Sequence, residues 1–157
     1  MATTHTILVP VSSSACSMEA LALACVVAKP RKARIYAVNV IEVLRSLPLD
    51  AQLDGAARRG EQVLRQAEEV ASAQGYQVSA ELLQAREAGQ AIVDEARERS
   101  ADVIVLGLPN RPVVGQFDMG KTAEFVLHNA PCEVWIVRQG TTGGLGFTTH
   151  GHEQEHA

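Results

Sequence analysis

Apolar and polar positions along this 157-residue chain fall into two kinds of segment that alternate from one end to the other. Short apolar runs stand at 6–11 (TILVPV), 33–41 (ARIYAVNVI), 103–106 (VIVL) and 133–138 (EVWIVR), and 76–83 alternates apolar with polar. Runs of this length between turn residues predict strands, and continuous runs predict strands buried on both faces. Pro10 suits the C-terminal end of the first run, where a missing N–H costs least. Between these runs, apolar residues recur three and four apart. The pattern places Leu21, Ala24, Cys25 and Ala28 on one face of a helix over 18–29. It does the same for Val63, Leu64, Ala67, Val70 and Ala71 within 54–74, and for Ile92, Val93 and Ala96 within 89–99. A fourth helix is predicted over 121–129. Ser12, Ser13 and Ser14 offer N-cap hydroxyls to the first helix. Lys29-Pro30, Gly75 and Ala130-Pro131 supply stops, and the turn-rich segment 44–54 contains Pro48.

Strand and helix alternate throughout, which predicts an α/β fold: an open five-stranded parallel sheet with helices on both faces. One domain is expected over 1–139, followed by a mobile tail of Gly, Thr, His and Glu over 140–157. In such a sheet, ligands bind beyond the C-terminal strand ends where the strand order reverses. Pro10, Val11 and Ser12 end the first strand, Val40 lies near the end of the second, and Leu106 and Gly107 end the fourth. These are the candidate walls of one crevice.

Composition narrows the function. Hydrophobic residues make up 46% and charged residues 20%, as in an ordinary globular domain. A net charge of −4 gives no electrostatic footprint for nucleic acid. The opening MATTHT has neither the basic start nor the apolar core of a secretion signal, and no run approaches the roughly 20 residues that cross a bilayer. The expectation is a cytoplasmic protein that is not membrane-embedded. Cys16, Cys25 and Cys132 show no CxxC pairing or regular spacing and read as reduced thiols.

The most informative stretch is 101–126, ADVIVLGLPNRPVVGQFDMGKTAEFV. An apolar strand breaks at Gly107 into a loop of Pro, Asn and Gly, and the loop ends at Gly120-Lys121-Thr122 where a helix begins. The first turn of a helix carries N–H groups without intrahelical partners and a partial positive charge, so this arrangement suits a phosphate. Gly115 to Thr122 spells the P-loop pattern G-x-x-x-x-G-K-[ST]. The P-loop mechanism needs its first glycine directly after the strand and a later strand ending in a magnesium-binding Asp. Gly115 stands well past residue 106, and the last strand ends in Arg138, so that reading is set aside. An ordinary loop, whose glycines only permit turns, stays open.

ILVPV at the start, VNVIE closing the second strand, VIVLG before the glycine loop and VLHNAPCEVWIVR at the end together resemble the universal stress protein family, over about residues 6–138. The resemblance implies the adenine nucleotide alpha-hydrolase-like fold and a dimeric regulatory module that binds AMP, ATP or a cyclic adenine nucleotide. Nucleotide-binding members carry Gly-x-x-Gly, nine residues, then Gly-Ser or Gly-Thr, with an Asp just after the first strand. Gly107 and Gly120 match the outer glycines. Asn110 stands at the second Gly, Lys121 at the hydroxyl residue and Ser12 at the Asp. Asn tolerates positive φ, Lys121 adds a phosphate-seeking cation, and Thr122 keeps a hydroxyl one position later. The implied nucleotide site is Pro10, Val11, Ser12, Val40, Leu106, Gly107, Asn110, Arg111, Gly120, Lys121 and Thr122. A nucleotide-blind interaction member of the same family is the alternative.

By the same resemblance the last strand lies at the sheet edge, and Val134, Trp135, Ile136 and Val137 are expected to join two copies into a homodimer. Family domains also occur beside transporters, so a transporter or another regulated protein is a second expected partner. No acid–base pair, G-x-S-x-G or H-E-x-x-H is present, which favours a stress-response or regulatory module over an enzyme, with slow incidental ATP hydrolysis left open. No metal site is expected: His150, His152 and His156 read as part of a solvated tail. His128 reads as a partner of its helix C-terminus, and Cys16, near a helix start, as a structural thiol.

Overall fold

The computed structural model describes residues 5–110, 112–113, 116–117 and 119–140. Five parallel strands form the main sheet: β1 (Thr6–Pro10), β2 (Arg34–Glu42), β3 (Ser79–Ala85), β4 (Val103–Leu108) and, last in the chain, β7 (Glu133–Arg138). Their order is β3-β2-β1-β4-β7. Between β4 and the last helix, β5 (Pro112–Val113) and β6 (Gln116–Phe117) pair antiparallel as a two-stranded ribbon that the sequence pattern did not reveal.

The pleat explains how one run of apolar residues feeds two cores. Ile7 and Val9 of β1 pack on one face with Leu21 and Cys25 of α1 (Ala15–Ala28) and Val70 of α2 (Asp54–Ala73). Leu8 points the other way, to Val93 of α3 (Ala88–Glu98) and Val126 of α4 (Lys121–Asn129). Alternation by two along a strand thus fills both layers, and Leu8 and Val9 are both fully buried.

The helices begin and end for local reasons. α2 closes in a Schellman arrangement: Gly75 has φ +70, its N–H donates to the Ser72 carbonyl, and the Tyr76 N–H donates to the Ala71 carbonyl. Tyr76 therefore belongs to the end of α2, and its hydroxyl donates to the Ala33 carbonyl. That delays β3 to Ser79, three residues past the start expected at 76. α1 starts at Ala15, earlier than the expected 18, with Ser14 in the N-cap position. Its hydroxyl makes no cap bond, which corrects the expected role of the three serines. The Ser17 hydroxyl lies 3.0 Å from each of the Ser12 and Ser14 carbonyls and accepts from the Ser12 N–H at 3.0 Å, tying the β1–α1 turn to the first turn of the helix.

Across the other face, Arg99 follows α3 and stacks 4.0 Å from the centroid of the Tyr36 ring while pairing with Glu81 and Glu95. Burial works against its charge, but hydrogen bonds to the two carboxylates outweigh that and push its pKa up. The predicted tail over 140–157 lies, beyond residue 140, outside the described residues.

Candidate functional site

Strand order reverses at β1. The chain runs outward through β2 and β3, returns beyond α3 to lay β4 on the other side of β1, and continues outward to β7. The β1–α1 and β4–α4 connections therefore diverge and leave a crevice above the C-terminal ends of β1 and β4. A cavity of about 340 Å³ occupies that position.

Nine of the eleven residues expected from sequence line it: Pro10, Val11, Ser12, Val40, Leu106, Gly107, Gly120, Lys121 and Thr122. Arg111 lies outside the described residues. Asn110 does not line the cavity; its side-chain oxygen accepts a hydrogen bond from Arg138 at 2.9 Å. Lys32 and Ser100 are the non-glycine positive-φ residues among those described, and Asn110 is not one of them, so it does not reproduce a glycine turn. Gly107 also departs from its expected place. β4 runs on to Leu108, so Gly107 is a strand residue and not the opening of a loop. A Cβ there would stand 2.1 Å from the Cys16 carbonyl oxygen and 2.8 Å from the Ser17 nitrogen. Its function is to let the start of α1 pack against β4, which sets one wall of the crevice.

Gly120 has a different reason. It is the residue before α4, with φ 81 and ψ 156, a combination open essentially to glycine alone. Nothing lies within 4 Å of where its Cβ would be. The conformation turns the chain so that Lys121 and Thr122 begin the helix at the crevice wall.

Sequence reasoning missed Ser14, Ser17, Asn39, Ala88, Ile92 and Met119, which line the cavity together with the apolar Val38, Leu108 and Ala123. Asn39 carried a signal: it is the lone amide inside the apolar run of β2. Its side-chain nitrogen donates to the Val11 carbonyl at 2.8 Å and fastens the end of β1 to β2. The cavity lining takes in the first turns of three helices: Ser17 from α1, Ala88 from α3, and Lys121 and Thr122 from α4. None of the three N-caps carries a side-chain cap bond. Lys121 is the one charged residue among those described that line the cavity. A concavity that meets helix starts and carries one cation suits an anion by its chemistry.

The rejected P-loop reading meets a physical obstacle too. Gly115 itself lies outside the described residues, but β4 ends at Leu108 and an antiparallel ribbon intervenes before α4. Among the described residues no group of three or more His, Cys, Asp or Glu is placed to hold a metal. Cys16, Cys25 and Cys132 are free thiols; Cys16 is buried, with Sγ 3.3 Å from the Ser14 hydroxyl. His128 is exposed in the last turn of α4. No described helix is long and apolar enough to cross a membrane.

The strand order and the crevice at its reversal define a doubly wound α/β protein with a cavity at the strand ends. The chain belongs to the universal stress protein family, whose model matches residues 3–138. A universal stress protein of Methanocaldococcus jannaschii is 29% identical over 139 residues, covering 85% of this chain and 81% of that protein. The solved universal stress protein from Archaeoglobus fulgidus superposes with a TM-score of 0.72 at 23% identity, covering 85% of this chain and 98% of that one. A structure of the universal stress protein from Archaeoglobus fulgidus in complex with dAMP gives 0.68 at 22% identity, over 87% and 98%. At such identities the structural likeness establishes the fold.

Proposed function

We propose that this chain is a regulatory module that binds an adenine nucleotide in the crevice between β1 and β4 and is not an enzyme. The observation that carries the reading is the placement of Lys121, the only charge described in the lining, at the first residue of α4 beside Gly120 and Thr122. A structure of the same fold solved with dAMP supports the ligand class. In this reading Pro10, Val11 and Val40 face the base and Ser12 replaces an acid with a neutral hydroxyl. Gly120, Lys121 and Thr122 receive the phosphate. Nucleotide occupancy would then be read by a partner, a transporter among them, through a homodimer joined along β7.

Lys121 makes no ion pair among the described residues, so its ammonium is available to a ligand. A charge-assisted contact contributes on the order of 1.5–3 kcal/mol. Lys121→Ala is therefore expected to weaken AMP, ATP or cyclic-nucleotide binding by roughly 10- to 100-fold in calorimetric titration. The tie between Asn110 and Arg138, outside the cavity, favours the second reading, a nucleotide-blind interaction module. Wild-type protein that binds none of these nucleotides at millimolar concentration would establish that second reading.

A further inference from the structure

Lys121 and Thr122 border a second, smaller space. A recess of about 190 Å³ adjoins the crevice at Ala88, Lys121 and Thr122, which line both. Its remaining lining is Glu42, Glu87, Gly89, Gln90 and Phe125, so it lies between the end of β2 and the N-terminal turns of α3 and α4. Gly89 lets those two helices close on each other: a Cβ there would stand 2.9 Å from the Phe125 Cβ. Pro10, Val11 and Val40, the residues assigned to the base, do not line the recess. The phosphate end of the ligand is therefore the end that meets it. Ligand pockets commonly begin at about 300 Å³, so the recess has room for part of a phosphate chain and not for a further nucleoside.

We propose that this recess makes the crevice selective for nucleotides with a single phosphate group, and that Glu42 and Glu87 are the residues that turn longer phosphate chains away. The proposal rests on the nucleotide reading of the crevice. Lys121 is the one cation among the described residues lining either space, and the first phosphate engages it. A second or third phosphate entering the recess meets the carboxylates of Glu42 and Glu87 with no further cation in the described lining. Two features work against that charge, and neither cancels it. Arg45 approaches Glu87 at 3.7 Å, but both side chains are exposed and Arg45 does not line the recess, so solvent screens the pair. The start of α3 presents roughly half a positive charge. Glu87 stands in the N-cap position of that helix with a full negative charge, so the half charge is already offset there. Glu42, the last residue of β2, has no ion-pair partner among the described residues. Beyond Lys121 the balance is negative.

The test is calorimetric titration of the full chain with AMP, ADP and ATP in EDTA, so that no metal masks the phosphate charge. Affinity is expected to fall in that order, with AMP roughly fivefold or more above ATP, the scale of a few like-charge contacts at exposed positions. The gap is expected to shrink as salt rises from about 0.1 to about 1 M, since the screening length falls from about 10 to about 3 Å. Glu42→Gln combined with Glu87→Gln removes both charges at nearly constant shape. The double variant is expected to bind ATP as tightly as AMP, with little change in AMP binding. Wild-type protein that binds ATP as tightly as AMP overturns the selectivity and leaves the nucleotide reading standing. A gap that survives in the double variant, or that ignores salt, overturns the role of the two carboxylates. Binding of none of the three overturns the nucleotide reading and the proposal together.

Discussion

Two glycines at the crevice show that one residue type answers two different constraints. Gly107 is fixed by space, since a side-chain carbon would overlap the Cys16 carbonyl, whereas Gly120 is fixed by its backbone angles with open space around it. Gly107→Ala is expected to force α1 away from β4 and cost about 1–3 kcal/mol, as overpacking does. Gly120→Ala is expected to cost a similar ~1–3 kcal/mol through backbone strain. Denaturant titration measures both losses, and a neutral Gly107→Ala would remove that glycine from its packing role. Cys25 supplies a pH dependence. It is fully buried, and desolvation pushes its thiol up to about 11 from the usual 9.0. The folded state holds the proton over a range where the unfolded state has lost it. Stability from this group is therefore complete below about pH 9 and falls as pH rises toward 11. Two pKa units correspond to about 2.7 kcal/mol. Urea midpoints at pH 8, 9.5 and 11 are expected to decline, and Cys25→Ala to decline less over the same interval. Equal slopes would contradict that source.

At the level of elements, the helices and strands were legible because their apolar periods differ, and α4 and the last strand occupy the residues expected. Errors fell where tertiary contacts decide a boundary. β3 starts late because Tyr76 is held by α2 and by Ala33, and β4 runs through Gly107 because α1 packs on it. The nine expected residues that line the cavity were readable because strand ends and the glycine loop are marked locally, Asn39 carried a signal that went unread, and Ser17 and Ala88 come from other elements that only the topology brings in. The β2–α2 connection was legible only as turn-rich. Arg86, one residue past β3, organises it: its guanidinium donates to the Leu44 and Leu47 carbonyls at 2.6 and 2.8 Å. Gln84 adds bonds to the Leu49 and Ala51 carbonyls at 2.9 and 3.1 Å. Leu44, Leu47 and Leu49 are exposed, so little apolar burial holds the segment otherwise. Arg86→Ala is expected to speed amide exchange across 44–51 while global stability falls by only about 1 kcal/mol. Unchanged exchange there would assign the order of the loop to its own turns.

For the whole molecule, assembly is decided at the β7 edge of the sheet. The sheet has two edges, β3 and β7. β3 carries Glu81, tied to Arg99, and Gln84, tied to the loop. β7 offers Val134, Trp135, Ile136 and Val137 along an edge that pairs with no other strand among the described residues, the kind of edge that recruits a second strand. The four side chains are not equivalent. Trp135 and Val137 pack against the α1–α2 core and Val134 against the α3–α4 core, leaving Ile136 as the exposed large apolar group. Trp135→Asp would therefore disturb the monomer's own packing as well as any contact between copies. Ile136→Lys separates the two effects, because a charge at an exposed edge position opposes strand pairing and leaves both cores intact. Sedimentation equilibrium at micromolar concentration is expected to give a dimer for the wild type and a monomer for Ile136→Lys. Both are expected to keep the same far-UV circular dichroism. The thermal midpoint is expected to become independent of protein concentration in the variant alone, since association stabilises the folded state by mass action. A wild type that sediments as a monomer would end the dimer proposal and leave β7 as an edge protected by some other means.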